Sequence, residues 1–440
     1  MSTISSRLAI LPLLAVVGIA TSRTPPYNVI DDATRTCTPR IPAPLQRHSR
    51  YVCPVALDDE SALARGPSVW SPWTYPPVCT NRTSPIPEGD EGKKDTDRTN
   101  TRFCVYANDR HGVGGLSIVT TPETASASID LWDEDLPKLP YATTKKGLAY
   151  EIVDLPGRGK GVIATRKIKQ YEAFMVDYAA LAVDLKVAET VAREDGYELL
   201  SKAAEQVSPE LSEKVHSLAQ TSTAAKHPIE NVLRSNAFHT ALGAEGDGHM
   251  ALFPDLSRIN HACMPNAFPR FVPHSLAVSV AAARDIEPGE EITISYIPLG
   301  QTRAARQQAL LRWEFVCKCA LCAASDDEVE ASDARRTTID QFRASVAAVA
   351  HSHDPKITRS NRRQALEAIR DLFPRLHEEQ LFTAYSEQYA NIGRLYWALG
   401  DHGQAQFYAQ RSLDTLAEQG FIGEADRGKV HMLLRSFDGQ

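Results

Sequence analysis

Residues 257–268 read SRINHACMPNAF, a stretch that sets several chemically active side chains next to one another. Asn260 and His261 are adjacent, Cys263 follows, and Pro265 precedes Asn266. The segment is too polar for a strand of a hydrophobic core, so packing alone does not explain it. Its interpretation depends on three further segments of the chain.

Composition sets the broad class of the protein. At 440 residues the chain has room for two to four domains of about 150 residues each. An apolar fraction of 43% and a charged fraction of 23% are typical of a folded protein. The net charge of −7 argues against direct binding to nucleic acid and weakly favours a basic peptide partner. No apolar run approaches the ~20 residues of a membrane span.

The first residues are typical of a secretory signal peptide. Arg7 precedes an apolar stretch over residues 8–20, and small residues suited to cleavage follow. We therefore expect residues 1–22 to be a signal peptide, and the protein to enter the secretory pathway or leave the cell. The alternative is a mispredicted start or a buried apolar element, with the protein in the nucleus or cytoplasm. A glycosylation sequon at Asn81 is compatible with secretion.

The eight cysteines form two groups of different character. The first group lies in a region rich in Pro and Thr, residues 23–147, and comprises Cys37, Cys53, Cys79 and Cys104. Its wide spacing predicts two disulfides formed in an oxidising compartment, of undetermined connectivity.

The second group is crowded, because Cys317, Cys319 and Cys322 place three thiols within six residues. Such neighbours pair poorly as disulfides, since one of the three thiols is left over. Tetrahedral zinc takes three ligands of this kind and a fourth from elsewhere, and Cys263 remains in this half of the chain. The spacing predicts a structural zinc site. The alternative is a mixture of free and disulfide-paired thiols.

Hydrophobic patterns divide the rest of the chain. Short apolar runs predict strands over residues 148–183 and again over 233–300, with a helical insert over 184–232 between them. A helix leads into the cysteine cluster of residues 301–325. The acidic run AASDDEVEASDARR is typical of a linker, and residues 326–440 are expected to be helical. One helix pair in that region is tetratricopeptide-like, which favours a small helical bundle over a solenoid of three or more units.

Two further segments are weak signals when taken singly. LPGRGKGVIATRKI contains Gly157, Gly159 and Gly161, which let the backbone approach a ligand closely but also suit a simple tight hairpin. IEPGEEITISYI predicts a turn and then a strand that ends at Tyr296, where a tyrosine is commonly just a rim residue.

Together with the Asn-His segment and the cysteine cluster, these pieces resemble the SET-domain family of protein lysine methyltransferases. They stand in the family's order over residues 148–325. The resemblance implies an α+β fold of short strands with a knot-like crossing, a helical insert and a zinc-bearing post-SET segment. The chain looks most like the SET-and-MYND branch, although residues 181–235 contain no cysteine and so lack the MYND module. It is also similar to fungal SET-domain proteins with a signal peptide.

The resemblance further implies a site for S-adenosylmethionine. The backbone of Gly159, Lys160 and Gly161 would border the methionine part of this cofactor. Asn260 and His261 would hold its amino and adenine ends.

Three more residues receive roles from the resemblance. Asn236 matches another residue on the cofactor side, and Phe315 matches an aromatic that packs on adenine, unless it is simply a core residue. Tyr296 matches the tyrosine whose hydroxyl orients the substrate amine at the pore for methyl transfer.

The expected function is therefore methylation of an accessible lysine in a protein or peptide substrate. One rival is a secreted SET-fold protein that has lost catalysis and acts as a binding scaffold. Another is an interaction protein that engages a protein partner through its helical C-terminus.

Overall fold

Groups of short strands are followed by groups of helices along the described part of the chain, an α+β architecture as the sequence predicts. The computed structural model describes residues 73–80, 102–109, 111–128, 148–243, 246–272, 276–419 and 424–438. All of these belong to one compact unit, Cys37–Gln440. The expected signal peptide, Cys37, Cys53 and the Asn81 sequon lie outside the described residues and stay predictions.

The strands of the described residues form three sheets. They are β1 Val78–Thr80, β2 Phe103–Asn108, β3 Leu116–Thr120, β4 Tyr150–Leu155, β5 Gly159–Ala164, β6 Ala173–Tyr178, β7 Leu181–Asp184, β8 Phe238–Leu242, β9 Asp247–Leu252, β10 Asn260–His261, β11 Ala267–Val272, β12 Ala277–Ala282 and β13 Glu291–Ile294. The sheet orders are β1-β2-β3-β7-β9-β8, β10-β13-β5-β4 and β11-β12-β6.

The six-stranded sheet joins parts of the chain that are far apart in sequence. β3 runs parallel to β7, with Ile118 opposite Ala182. Strands from both sides of residue 148, where the sequence predicts a domain boundary, therefore share one sheet. A parallel pair of this kind needs a long connection, so short-range patterns do not reveal it.

Most of the helices lie in the insert or in the C-terminal region. The helices are α1 Pro122–Ala127, α2 Val187–Thr190, α3 Arg193–Glu205, α4 Pro209–His216, α5 Pro228–Asn236, α6 Arg303–Leu310, α7 Ala320–Ala323, α8 Asp326–Ala350, α9 Arg359–Glu378, α10 Tyr385–Leu399, α11 His402–Glu418 and α12 Glu424–Asp438. Helix α1 precedes the insert in the chain, and α6 and α7 lie around the cysteine cluster. None of the helices in the described ranges is both long enough and apolar enough to cross a membrane.

The insert covers one face of the six-stranded sheet. Leu199 and Ala203 of α3 and Val232 of α5 are buried against Leu181 and Leu252 of the sheet. Burying a branched side chain of this size stabilises the fold by about 1.5–3 kcal/mol relative to leaving it exposed. The apolar face of the insert is therefore committed to the sheet, which leaves its other faces for solvent or ligands.

The prediction of an acidic linker after the cysteine cluster is wrong. This run begins α8, and the side chains of Ser325 and Glu328 each bond the other's backbone N–H in a capping box. Asp326 and Asp327 lie in the first turn, where a carboxylate interacts favourably with the positive end of the helix dipole. The acidic residues thus start a helix instead of separating two domains.

The helix pair singled out in the sequence is formed by α10 and α11. Gly400 ends α10 with φ of 85°, a left-handed conformation that glycine adopts without strain. Gly393 lies so close to α11 that a Cβ atom there would stand 3.1 Å from the carbonyl oxygen of Ala405. These small residues allow close packing of the two helices. The tetratricopeptide likeness and the knot-like crossing stay predictions.

One disulfide is present among the described residues. Cys79 of β1 and Cys104 of β2 are directly opposite each other and are joined by a disulfide. This pairing leaves Cys37 and Cys53 for the second predicted bridge, and both lie outside the described residues.

Candidate active site

Three of the segments that carried the resemblance lie on adjacent strands. β10 pairs in parallel with β13, with Asn260 opposite Thr293 and His261 opposite Ile294. β13 pairs in turn with β5, where Ile292 is opposite Val162. The Asn-His motif, the strand before Tyr296 and the glycine-rich turn therefore meet at one place.

Asn266, from the same stretch as the Asn-His motif, holds this meeting together. Its side-chain Nδ2 donates to the carbonyl oxygen of Glu291 at 2.8 Å, and its Oδ1 accepts from the backbone N–H of Thr293 at 2.8 Å. The side chain is almost fully buried. The Asn266 amide therefore forms the same pair of hydrogen bonds with β13 that a neighbouring strand would form. These bonds satisfy its polar atoms, which explains why a polar side chain is buried here.

The glycine-rich turn lies directly against Asn260. Gly157 and Gly159 have φ of 71° and 68°, which favours glycine at both positions. A Cβ atom at Gly161 would stand 2.2 Å from Cδ1 of Leu155 and 3.0 Å from Nδ2 of Asn260. Only glycine at position 161 lets the asparagine amide come this close to the turn.

Asn260 belongs to a polar network that includes a residue missed at the level of sequence. Its Nδ2 donates to the carbonyl oxygen of Lys160 at 3.2 Å and to Oε1 of Glu291 at 3.1 Å. The other carboxylate oxygen of Glu291 is ion-paired with Arg158 at 2.6 Å. Arg158 is the site residue of this network that the sequence analysis did not predict. Its position inside the glycine-rich turn, as a cation next to the expected cofactor, was the sequence feature that could have indicated it.

His261 links the tyrosine to the cysteine cluster. Its Nδ1 lies 3.1 Å from the backbone N–H of Tyr296, which donates to it. We therefore assign the ring hydrogen to Nε2, which lies 3.3 Å from Sγ of Cys263. Burial, with a smaller contribution from Arg306, lowers the pKa of His261 to about 4. The ring is neutral at physiological pH and donates toward the sulfur.

Four cysteines form a cluster that could hold a metal ion. The Sγ atoms of Cys263, Cys317, Cys319 and Cys322 all lie within 4.8 Å of one another, and none of these cysteines is in a disulfide. Cys263 Sγ is 3.8 Å from that of Cys317 and 3.5 Å from that of Cys322. Four sulfurs about 2.3 Å from a tetrahedral zinc would be about 3.8 Å apart, so the spacing fits.

Donors around the cluster suit negatively charged sulfurs. The backbone N–H groups of Cys263 and Cys319 each point at a neighbouring sulfur at 3.5 Å. Nη2 of the buried Arg306 lies 3.7 Å from Sγ of Cys322. These groups partly balance the charge that four thiolates carry, as the surroundings of a metal site do.

Tyr296 lies two residues beyond the end of β13, so the strand ends two residues earlier than the sequence predicts. Its hydroxyl donates to the carbonyl oxygen of Ile259 at 2.8 Å. The ring centroid is 5.4 Å from those of His261 and Trp313. Burial raises the pKa of Tyr296 above its ordinary value, so the hydroxyl stays neutral. Trp313 was not predicted as a site residue, and its nearness to Phe315 in sequence was the only signal.

Phe315 and Asn236 lie at the edges of this arrangement. The Phe315 ring is 6.2 Å from that of His261 and 36% exposed, which is more open than a core residue. Nδ2 of Asn236 donates to the carbonyl oxygens of Ala219 and Val232 at 2.7 Å each. Both amide hydrogens of Asn236 are therefore used within the insert, and its side-chain oxygen is the atom left for a ligand.

Comparisons with known proteins show the family to which these segments belong. Residues 159–297 match the SET domain family. Histone-lysine N-methyltransferase set5 of Schizosaccharomyces pombe is 31% identical over 245 residues, which are 55% of this chain and 68% of that protein. Human protein-lysine N-trimethyltransferase SMYD5 is 42% identical over 91 residues, 20% of this chain and 21% of that protein.

Human histone-lysine N-methyltransferase SMYD3 is 37% identical over 83 residues, 18% of this chain and 19% of that protein. The chain thus spans only about a fifth of the two human proteins but more than two thirds of set5. Both the matched range and the meeting of its motifs on adjacent strands lead to one conclusion: the chain belongs to the SET-domain family of protein lysine methyltransferases.

Proposed function

We propose that this protein transfers a methyl group from S-adenosylmethionine to a lysine side chain of a protein substrate. The observation that carries the proposal is the meeting of the glycine-rich turn, Asn260, His261 and Tyr296 around β5, β13 and β10. Membership of the SET-domain family supports the same reaction. Because set5 and SMYD3 are named for histone lysines, histone-derived basic peptides are the first substrates to test.

The residues around this sheet suit the cofactor. Because Gly161 has no Cβ, the side chains of Leu155 and Asn260 lie directly against the glycine-rich turn, which keeps the Asn260 amide beside the backbone proposed to border the cofactor. The partly exposed ring of Phe315, next to the neutral His261, offers a flat apolar surface to adenine. When bound, S-adenosylmethionine supplies an electrophilic methyl group on a positively charged sulfur.

The remaining cofactor contacts are proposed residue by residue. The backbone of Gly159 and Lys160 would border the methionine part, and Asn236 would contribute its side-chain oxygen. Arg158 is suited to bind the cofactor carboxylate, because a guanidinium forms paired hydrogen bonds with a carboxylate. Its side chain is 48% exposed, so it can reach a ligand while keeping its ion pair with Glu291.

Tyr296 is proposed to orient the substrate amine. Its hydroxyl donates to the carbonyl oxygen of Ile259, so its lone pairs can accept an N–H from the lysine. That bond turns the nitrogen lone pair toward the methyl group, and such positioning can supply ~7–11 kcal/mol of the barrier. The amine must be neutral to attack, and a water-poor surrounding favours this by lowering the lysine pKa. We assign no separate general base, and the proton leaves to solvent.

We propose that the four-cysteine cluster binds one zinc ion. Cys263 belongs to the stretch that carries Asn260 and His261, whereas the other three ligands belong to the segment after Phe315. One zinc would therefore hold together two walls of the cofactor site. The supporting observations are the sulfur separations and the N–H groups directed at them.

A second candidate function is a secreted SET-fold scaffold without catalysis. The disulfide between Cys79 and Cys104 favours it, because disulfides are typical of oxidising compartments, away from the cytosol. Under this proposal the signal peptide is functional and the protein enters the secretory pathway. The helical residues 326–440 would then be the surface for a protein partner.

Calorimetry with S-adenosylmethionine, combined with transfer of a labelled methyl group to histone-derived and other basic peptides, separates the two candidates. The protein should be zinc-loaded and free of strong reductant, so that the disulfide stays intact. We expect wild type to bind cofactor and label lysine. Tyr296→Phe should bind cofactor nearly as well but turn over ~10²–10³-fold more slowly, because one positioned hydroxyl is lost. A wild type that binds no cofactor would leave the scaffold as the better account.

A further inference from the structure

We propose that Asp177 is a positioning residue for methyl transfer, one that fixes the turn whose last carbonyl group orients the Tyr296 hydroxyl. This inference rests on the proposed function. Asp177 lies on β6, far in sequence from every motif that carried the resemblance. It would act on the reaction through the turn and not by touching substrate.

The carboxylate of Asp177 accepts hydrogen bonds from the backbone at the start of the turn, at residues 255 and 256. Oδ2 accepts from the backbone N–H of Asp255 at 2.7 Å and from that of Leu256 at 2.9 Å. Oδ1 accepts from the backbone N–H of Tyr178 at 2.9 Å. The residue is 9% exposed and makes no ion pair within the ranges that the structure describes. Three backbone amides are thus its partners among the described residues, and two of them lie at the start of the turn.

The turn connects the residues that Asp177 binds to the carbonyl group that accepts the Tyr296 hydroxyl. A short 3₁₀ helix, Leu256–Arg258, begins at the residues that Asp177 holds. Ile259 closes it by donating its N–H to the carbonyl oxygen of Leu256 at 3.0 Å, and the carbonyl oxygen of Ile259 accepts the Tyr296 hydroxyl at 2.8 Å. Leu256 and Ile259 are both fully buried, so the turn cannot shift without disturbing the core.

The same turn leads directly into the cofactor residues. Asn260 and His261 follow Ile259 and pair with β13, the strand that ends two residues before Tyr296. A rotation of the turn would therefore move the hydroxyl's acceptor relative to the strand that holds the tyrosine ring. A misplacement of about 1 Å in such a site can slow a reaction ~10²-fold.

The test compares Asp177→Ala with Asp177→Asn. The alanine removes all three hydrogen bonds, whereas the asparagine keeps an oxygen that can accept from residues 255 and 256. We expect Asp177→Ala to lower kcat between ~10- and ~100-fold, with the peptide KM changed less than about twofold. Asp177→Asn should recover most of kcat. Asp401→Ala is the matched control, because Asp401 caps α11 through the backbone N–H of Gln404, and its kcat should equal that of wild type.

A double-mutant cycle with Tyr296→Phe separates positioning from general destabilisation. If Asp177 acts through the tyrosine hydroxyl, adding Asp177→Ala to Tyr296→Phe should cost little further kcat. Full additivity, or a folded Asp177→Ala with wild-type kcat, overturns the inference while the proposed function stands. Should Asp177→Ala fail to fold, the cycle is run with Asp177→Ser, whose shorter side chain cannot reach both amides, and the same two outcomes decide. A wild type that transfers no methyl group overturns the proposed function and the positioning role with it.

Discussion

Gly161→Ala offers a direct test of how the glycine-rich turn meets Asn260. The added Cβ would stand 2.2 Å from Cδ1 of Leu155 and 3.0 Å from Nδ2 of Asn260, and both distances are too short for an atom of this size. Cδ1 of Leu155 is the far end of a flexible side chain and can rotate away, but the Asn260 amide is held by two acceptors. We therefore expect the amide to be pushed off the carbonyl oxygen of Lys160.

The size of the effect follows from these two contacts. Overpacking at a filled position typically costs 1–3 kcal/mol, and a lost hydrogen bond costs about 0.5–1.5 kcal/mol more. The sum is about 1.5–4.5 kcal/mol, part of it seen in unfolding and part in cofactor affinity, since Asn260 is on the proposed cofactor surface. Each 1.4 kcal/mol that appears in binding weakens the affinity about tenfold.

Thermal unfolding and calorimetry with S-adenosylmethionine measure the two parts. Gly196→Ala is the matched control, because Gly196 lies inside α3 with nothing within 4 Å of the added Cβ. There the same substitution should stabilise the helix by up to about 1 kcal/mol. The reasoning about the turn is refuted if Gly161→Ala binds cofactor with wild-type affinity and unfolds at the wild-type temperature.

Three further predictions concern the cysteines and Asp177. Metal analysis should find about one zinc per chain, lost in Cys319→Ser, and mass spectrometry should find Cys317 outside any disulfide. Burial and the Asp255 carboxylate raise the pKa of Asp177 to about 7, against ~3.9 in an unfolded chain, so the folded state binds more protons between these values. Stability should therefore fall as the pH rises from about 4 to 7, by up to ~4 kcal/mol, and denaturant titrations should show this slope flattened in Asp177→Asn. Replacing Cys79 and Cys104 by Ser opens a loop with a sequence separation of 25 and should cost about 3.5 kcal/mol of unfolding free energy, measured in the same titrations without reductant.

The family and most of the site residues could be predicted from sequence, because the residues that carry the chemistry lie in short segments with a characteristic order and spacing. Three thiols within six residues indicate a metal cluster wherever the segment lies. Positive φ at Gly157 and Gly159 is likewise a local property that glycine allows at little cost. The prediction of an acidic linker was wrong because it used only the charge of the segment. The capping box of Ser325 and Glu328 makes the same residues begin a helix.

The partners of the site residues could not be predicted, because they come from positions far apart in the chain. Asp177 reaches amides 78 and 79 residues away, and Arg158 pairs with a carboxylate 133 residues away. Such contacts depend on the order of strands in the three sheets. That order is set by which apolar faces can be buried together over the whole chain, and no short window of sequence contains that information. The sequence by itself determined which groups are available for the chemistry, and the tertiary structure decided which of them hold the others in place.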